Sequence, residues 1–300
     1  MNKTGILLSL GFVMALSALA QDDFTGEWAP LYHEDYPERI PGPELGDYMG
    51  IPISDAARLR GDAYDADRVA VVSEYQCRPH GADYGLRGLS NLRVTEEYSP
   101  EDNHLLAIHT RMNFADESRT IWMDGRARPG DLAAHTFQGF STGTWEDSML
   151  SVYTTHLKES YLRRNGLPRS DKATFTEHWI RHGNLLTIVA AISDPIFLTE
   201  TMVRSETWIL DPGQRLGKDV CEYAPEIDKP EGTVPAHLPG TNPFLHEVSE
   251  WYGVPWEATR GGAATVYPEY REKAPKAEKV PEKCERYCSC GANGRGCNLK

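Results

Sequence analysis

The chain has little positive charge for its length. Its 300 residues include 31 lysines and arginines against 44 aspartates and glutamates, which gives a formal net charge of −13 at pH 7. Proteins bind nucleic acids and anionic membrane surfaces through an excess of lysine and arginine. The composition therefore excludes nucleic acid as an expected partner and offers no electrostatic attraction to an anionic membrane.

Long apolar runs are absent after residue 20. The first twenty residues combine Lys3, the apolar run GILLSLGFVMALSA and the small residues Ala18 and Ala20, which is the pattern of a secretory signal peptide. The apolar run is too short for a stable membrane span. We therefore expect cleavage before Gln21 and a soluble protein, exported to the periplasm or the extracellular space without membrane insertion.

Cysteines are few and unevenly placed. Cys77 and Cys221 stand alone, and the other four lie close together at Cys284, Cys288, Cys290 and Cys297. Disulfides persist in exported proteins, and we predict a bridge between Cys77 and Cys221. Three alternatives stay open for the C-terminal four: two disulfides, a set of thiolates for a soft metal such as zinc or copper(I), or free redox thiols. No other metal or cofactor is predicted.

Alternating apolar and polar residues fill the middle of the chain. In 104–114, for example, Leu106, Ile108 and Met112 share one face, as β-strands require. Turn-forming stretches such as SPEDN and WEDS separate segments of this kind. We predict eight strands, at 92–98, 104–114, 118–123, 136–145, 149–156, 173–181, 185–193 and 199–210.

The short connections between these strands indicate an antiparallel up-and-down meander. Closing such a sheet removes its two exposed edges. The predicted fold is therefore mainly β, a lipocalin-like barrel or a strongly curled sheet.

The flanking segments are rich in proline and glycine and are predicted to be largely irregular. Two short helices are expected, one at 54–63 with Ser54 or Asp55 as its N-cap and one within NPFLHEVSEWYGVP. The predicted organisation is a signal peptide at 1–20, a barrel-like domain with its N-terminal lead-in at 21–225, a proline- and charge-rich connector at 226–283, and a cysteine-rich tail at 284–300.

Three stretches resemble a family of uncharacterised exported bacterial proteins. They are IWMDGRARPGDL at 121–132, GFSTGTWEDSMLSVYTTH at 139–156 and FTEHWIRHGNLLTIVAAISDP at 175–195. The likeness covers about residues 26–225, and GEW at 26–28 also resembles the G-x-W that opens lipocalin barrels. Three histidines of the family pattern are replaced here by Arg128, Phe140 and Arg169. The resemblance implies a lipocalin-like barrel and export, and it implies no particular activity.

Two turns carry candidate ligand-binding residues. Asp124 and Arg126 flank Gly125 at a predicted strand end, where Arg126 could hold the carboxylate or sulfate of a ligand. The alternative is a β-turn in which Asp124 bonds local amides and Arg126 pairs with an acid. Trp145 and Glu146 begin the turn of a predicted hairpin between 140–145 and 149–156. Trp145 suits either a ligand-stacking wall or simple packing.

The candidate catalytic pair is His156 and Glu177, each near a terminus of one of two adjacent predicted strands. A histidine oriented by a carboxylate is the minimum requirement for general acid–base catalysis. Alternation over 150–156 predicts that His156 lies on the inner face with Leu150 and Val152. The alternative is a hydrogen-bonded structural histidine.

A binding protein is the leading functional prediction. The sequence contains no nucleophile elbow and no phosphate-binding glycine loop, whereas an eight-stranded barrel can hold one small molecule. We predict an exported protein that binds a small, partly apolar ligand in its β-barrel. The alternatives are an exported isomerase, lyase or hydrolase that uses His156 and Glu177, and an envelope interaction module whose cysteine-rich tail binds a protein partner.

Overall fold

A computed structural model describes residues 21–31, 45–66, 68, 71–87, 90–113, 117–218, 220–225 and 230–274. The predicted signal peptide and the predicted cysteine-rich tail lie outside these ranges. None of the described helices is long and apolar enough to cross a membrane.

Nine strands form a closed barrel, which confirms the predicted mainly-β, lipocalin-like architecture. The barrel strands are β1 Gly26–Leu31, β2 Leu92–Tyr98, β3 Leu105–Met112, β4 Ser118–Trp122, β5 Phe140–Glu146, β6 Met149–Thr155, β9 Thr174–His182, β10 Leu185–Ser193 and β11 Met202–Leu210. Their order around the barrel is β1-β11-β10-β9-β6-β5-β4-β3-β2, and β2 pairs with β1 to close it. The two-residue strands β7 Ser160–Tyr161 and β8 Pro168–Arg169 form a separate ribbon.

Within the described ranges, five short α-helices lie outside the barrel wall: α1 Asp55–Ala63, α2 Ala82–Gly85, α3 Glu247–Tyr252, α4 Trp256–Thr259 and α5 Pro268–Lys273. The same ranges contain 3₁₀ turns at Ser73–Gln76 and Ala263–Val266. The helix predicted at 54–63 is confirmed as α1, and Ser54 is its N-cap because its hydroxyl accepts a hydrogen bond from the Ala57 amide.

The ninth strand, β1, was missed by the sequence prediction. It holds the G-x-W stretch and closes the barrel, with Trp28 opposite both Leu210 of β11 and Leu92 of β2. Gly26 and Pro30 are poor strand formers, so the six residues give a weak local signal. The barrel nevertheless needs this segment, because without it β2 and β11 would both be open edges.

One step of the predicted meander is wrong. Strands β4 and β5 are parallel, with Ile121 opposite Ser141, so residues 123–139 must return along the barrel instead of forming a hairpin. We call these residues the crossover segment. Because β4 and β5 are parallel, the turn after β4 and the start of β5 lie at opposite ends of the barrel.

Side chains fill the barrel interior. Among the largest fully buried side chains are Trp28, Trp179 and Trp208. Phe24 contacts Trp179 edge-on, with ring centroids 5.7 Å apart, at the end of the barrel that carries the β5–β6 and β9–β10 turns. We call this the hairpin end. The inner positions alternate along each strand with outward ones, as in Leu186, Ile188, Ala190 and Ile192 of β10.

The opposite end of the barrel is covered by the N-terminal lead-in. Residues 80–87, HGADYGLR, are all buried, and they pack where β3 turns into β4. We call them the plug. The lead-in was predicted to be irregular, and its burial could not be anticipated because HGADYGLR contains four charged or titratable side chains and two glycines.

Part of the predicted connector is folded against the lead-in. Arg260 binds the carboxylate of Asp62 through both terminal nitrogens, at 2.7 and 2.5 Å, and Tyr64 forms a β-bridge with Ala236. The described part of the connector, 230–274, therefore supports the segment that precedes the plug. The boundary at residue 226 stays a prediction.

Candidate functional site

In the Asp124–Arg126 turn the two charged side chains bind each other. The Arg126 guanidinium binds the Asp124 carboxylate, with Nε 2.9 Å from Oδ1, and lies 3.4 Å above the centre of the Trp122 ring. These hydrogen bonds lower the pKa of Asp124 to about 2. Arg126 already has a carboxylate partner, and its amide donates to Asp124 Oδ1 at 3.2 Å, so these contacts match the alternative of local pairing. The role of the turn in ligand binding stays a prediction.

Trp145 and Glu146 lie at the hairpin end. The predicted hairpin is confirmed, with Glu146 opposite Met149 and a two-residue turn in which Asp147 has a φ of 57°. The Trp145 ring stacks on Phe24 with centroids 5.5 Å apart, and it packs against the core. Glu146 is exposed beside the turn. This arrangement supports packing as the role of Trp145.

We expect Trp145→Ala to destabilise the protein by about 2–3 kcal/mol. Removal of a fully buried tryptophan costs about 3–5 kcal/mol, but Trp145 is only partly buried, so the loss should be smaller. The measurement is urea-induced unfolding, with Glu146→Gln as the control because that side chain is exposed. A Trp145→Ala variant as stable as the wild type would contradict the packing role.

Glu177 lies in the barrel core and has no contact with solvent. Its exposed fraction is 0 %, and it forms an ion pair with Arg119 of β4, whose side chain is 5 % exposed. Its other oxygen accepts a hydrogen bond from Trp179 Nε1 at 3.2 Å. A buried carboxylate requires such partners, because an unpaired charge in the interior is very costly.

Arg119 is a site residue that the local sequence pattern does not single out as functional. Its Nε donates to Ser141 Oγ at 3.0 Å and its Nη2 to Thr154 Oγ1 at 2.8 Å, in addition to Glu177. The alternation in SRTIW could have shown it, because Arg119 shares a face with Ile121. An arginine on an inner face predicts an acidic partner on another strand, and Glu177 occupies such an inner position.

His156 does not continue the inner face of β6. Leu150, Val152 and Thr154 are buried as predicted, but the strand ends at Thr155 and His156 has a φ of 57°. Its Nε2 donates to the Gly130 carbonyl at 3.0 Å. Since a neutral imidazole carries one proton, Nδ1 then accepts from the Thr155 hydroxyl at 2.8 Å.

The structure therefore does not bring the predicted catalytic residues together. The hydrogen bonds of His156 connect it to the crossover segment outside the barrel, whereas those of Glu177 lie inside it. The Asp124–Arg126 turn is near neither, because β4 and β5 both run towards the hairpin end and His156 follows β6 in the other direction. The assignment of catalysis to His156 and Glu177 stays a prediction.

His156 instead lines a cleft on the outer wall of the barrel. The cleft lies between the crossover segment and the neighbouring strands β6 and β9, and its volume is about 550 Å³. Both charged and apolar side chains line it: Arg128, Pro129, Asp131, His135, Tyr153, Thr155, His156, Asp171, Lys172, Ala173 and Thr174. We call it the crossover cleft.

Two side chains of the crossover cleft have unused binding capacity. The Arg128 guanidinium lies 4.5 Å from the centre of the Tyr153 ring, and among the described residues no hydrogen bond or ion pair engages it. His135 donates from Nδ1 to the Leu157 carbonyl at 2.9 Å, which leaves the lone pair of a neutral ring on Nε2. The cleft can thus offer both a cationic fork and a neutral acceptor.

Comparison of the chain with protein-family models, with curated proteins and with solved structures finds no match. The resemblance described above therefore stays a prediction. Within the ranges that the structure describes, no group of three or more histidine, cysteine, aspartate or glutamate residues is arranged to hold a metal ion. The four C-terminal cysteines lie outside those ranges.

Proposed function

We propose that this protein is exported and binds a small, partly apolar ligand that carries an acidic group, and that the ligand occupies the crossover cleft. The proposal rests above all on one observation, the Arg128 guanidinium that is held over the Tyr153 ring and has no acidic partner among the described residues. The cleft volume of about 550 Å³ is within the range of about 300–1,000 Å³ that is usual for small-molecule sites.

The pairing of Arg128 with Tyr153 suits a planar anion next to an apolar group. Arginine presents its N–H donors in a rigid fork that matches a carboxylate, and stacking on an aromatic ring orients that fork in advance. The exposed part of the Tyr153 ring, together with Pro129 and Ala173, offers apolar surface beside it. A carboxylate attached to a ring or a short hydrocarbon chain satisfies both surfaces.

The outer wall is a better place for this ligand than the barrel interior. Trp28, Trp179 and Trp208 have at most 1 % of their surface exposed and occupy the space that a ligand would need. The ion pair of Arg119 and Glu177 fills a further part of the interior, and each of these two charges already has the other as its partner. We therefore place the ligand on the outer wall and not in the barrel interior, where the sequence alone predicts it.

Arg128→Met is expected to weaken the binding of an aromatic carboxylate about tenfold or more. A hydrogen bond to a charged group contributes about 1.5–3 kcal/mol, and methionine retains the apolar contact with Tyr153 without the charge. Naphthoate is a suitable probe because it is fluorescent and combines a carboxylate with a ring system. Lys218→Met is the matched control, since Lys218 is exposed and lies outside the cleft. Equal affinity of the two variants for naphthoate would reject the proposed site.

Native mass spectrometry of protein purified from its own host tests the proposal without a chosen probe. A co-purifying small mass that is present in the wild type and in Lys218→Met, and lost in Arg128→Met, is the expected result. A mass retained in Arg128→Met would place the ligand elsewhere. Cleavage at Gln21, measured from the intact mass, would test export in the same experiment.

A second candidate function, acid–base catalysis, is better supported at His135 than at His156. Both ring nitrogens of His156 are engaged by Gly130 and Thr155, whereas Nε2 of His135 has no partner among the described residues. A general base must reach the proton that it abstracts, and His135 lines the same cleft. If a substrate for the protein is found, loss of turnover in His135→Gln together with normal turnover in His156→Gln is the expected result.

A further inference from the structure

The two sides of the barrel's outer wall differ in charge. On β2 and β3 the outward side chains include Arg93, which pairs with Glu27, and Glu97, which pairs with His109. On β9, β10 and β11 the outward positions hold threonine, serine, histidine, alanine and branched aliphatic residues, and none of them is an aspartate, glutamate, lysine or arginine. We call this surface the neutral face, and it consists of every second residue of 176–180, 185–191 and 203–209, with Ala29 and Leu31 of β1.

The strand register makes the neutral face continuous. Thr187 of β10 lies opposite both Ile180 of β9 and Thr207 of β11. Thr207 in turn lies opposite Leu31 of β1. Neighbouring side chains on one face of an antiparallel sheet have Cβ atoms about 4.5–5.5 Å apart, so each such row crosses four strands without a gap.

Aliphatic side chains of the neutral face stand in solvent. The exposed fraction is 44 % for Ile180, 37 % for Leu185, 63 % for Val203 and 39 % for Ile209. Leu185 and Ile209 are directly opposite each other, so their exposed surfaces are contiguous. Contiguous apolar surface on a soluble protein marks a site of association.

Polar groups of the neutral face already have partners within the protein. The hydroxyl groups of Thr187 and Thr207 bond each other, with oxygens 2.9 Å apart, and His178 Nδ1 lies 3.0 Å from Ser151 Oγ. Covering a polar group is costly when it loses its hydrogen bonds to water without replacement. Because these hydrogen bonds are internal, another surface can cover them at a lower cost.

We propose that the neutral face is the contact surface between two copies of this chain, packed face to face about a twofold axis. The argument for a second copy is the charge of the protein. Its formal net charge is −13, so two copies repel each other, and their close approach costs least where neither surface is charged. A twofold axis brings the same patch of each copy together, and two sheets pack in this way with their backbones about 10 Å apart.

The C-terminal segment of the same chain fits the neutral face less well. Residues 275–300 contain six lysines and arginines and three glutamates. An uncharged surface offers these side chains no charged partners, and burying a charge without a partner is very costly. The excess of positive charge attracts the segment to acidic surfaces instead.

The size of the neutral face predicts a weak, reversible dimer. Strands lie about 4.8 Å apart and rise about 3.3 Å per residue, so four strands and seven residues give a face roughly 20 Å wide and 23 Å long. Contact over such an area buries on the order of 900 Å² in total, which is the lower end for specific association. We therefore expect a dimer that dissociates on dilution.

Sedimentation velocity of the full chain over a wide dilution series measures the dimer. Ile209→Glu places a carboxylate in the neutral face of both copies, and we expect it to raise the dissociation constant about tenfold or more. Val203→Glu should do the same, and it provides a second variant because its side chain is the most exposed of the four. Thr95→Glu is the matched control, since it adds the same charge at an exposed outward position of β2.

Three results of this experiment would overturn the proposal. A wild type that is monomeric at every concentration would leave the neutral face to another occupant. A dimer of unchanged affinity in both Ile209→Glu and Val203→Glu would place the contact elsewhere. Equal weakening in Thr95→Glu would assign the effect to net charge alone. The urea unfolding midpoint of each variant confirms that it is folded.

The salt dependence of the wild-type dimer separates this contact from an electrostatic one. Added salt screens the repulsion between the two acidic copies and leaves uncharged surfaces unaffected, so the dissociation constant should fall several-fold as the salt concentration rises. Association between the basic C-terminal segment of one copy and the acidic surface of another would weaken with salt. A dimer that salt dissociates would therefore overturn the proposal.

Discussion

Arg119→Met should destabilise the protein by about 3–5 kcal/mol, which is the usual cost of breaking a buried ion pair by removing one partner. The reason is the charge left behind. Glu177 is 0 % exposed, and without Arg119 the one hydrogen bond left to its side chain from the described part of the chain comes from Trp179 Nε1. Ser141 and Thr154 also lose the guanidinium to which they are bonded. Urea-induced unfolding at neutral pH measures the effect.

A second substitution distinguishes the destabilisation caused by the unpaired Glu177 charge from the destabilisation caused by lost packing. Glu177→Gln removes the charge and leaves an oxygen for Trp179, so the double variant Arg119→Met/Glu177→Gln should be more stable than Arg119→Met alone. Arg93→Met is the matched control, because Arg93 pairs with Glu27 on the partly exposed outer wall. Such exposed pairs contribute about 0–1 kcal/mol. Equal losses for Arg93→Met and Arg119→Met would show that the buried pair has no special role.

Removal of the Cys77–Cys221 disulfide should cost about 4–5 kcal/mol. The structure contains this predicted bridge, with Cα atoms 5.7 Å apart and a sequence separation of 144 residues. In the chain-entropy model, a cross-link that closes so long a loop restricts the unfolded chain by about that amount. The bridge joins the segment before the plug to the segment after β11, so it also limits the movement of the lead-in away from the barrel.

The variant for this test is Cys77→Ala/Cys221→Ala, which leaves the four C-terminal cysteines in place. Its midpoint of urea unfolding should be well below that of the wild type. Reductant should lower the midpoint of the wild type and leave that of the double variant unchanged, which assigns the effect to this bridge. A difference below about 1 kcal/mol would mean that the unfolded state is already restricted by other structure.

The strands were predictable from the sequence because alternation is a local property. In β6, β9 and β10 every second side chain faces the core, and the sequence shows that period directly. The hairpin at Glu146–Met149 was predictable for the same reason. The strand β1 was not, because Gly26 and Pro30 hide its pattern and its place depends on the two open edges that it closes.

The sites could not be predicted in the same way, because their partners are far apart in the sequence. Arg119 and Glu177 are separated by 58 residues, and Asp83 and Arg169 by 86. The assignment of His156 to the inner face failed at a single residue, whose φ of 57° ends the alternation. Nothing in the neighbouring sequence predicts this change of φ. In the structure it accompanies the hydrogen bond from His156 to the carbonyl of Gly130, which belongs to the crossover segment.

By itself, the sequence determined the barrel class of this protein, its hairpins and the pairing of Cys77 with Cys221. These follow from the periodicity of apolar residues, the turn residues and the positions of the cysteines, all of which are visible in the sequence. The tertiary structure alone decided that β4 and β5 run parallel, and this one parallel step sends the crossover segment along the outer wall and creates the cleft there. It also decided that a lead-in rich in polar residues is buried, because Asp83 reaches its partner Arg169 only when the barrel has closed. Local sequence sets which residues can alternate in a strand, whereas buried charges are permitted only by partners that folding brings from elsewhere in the chain.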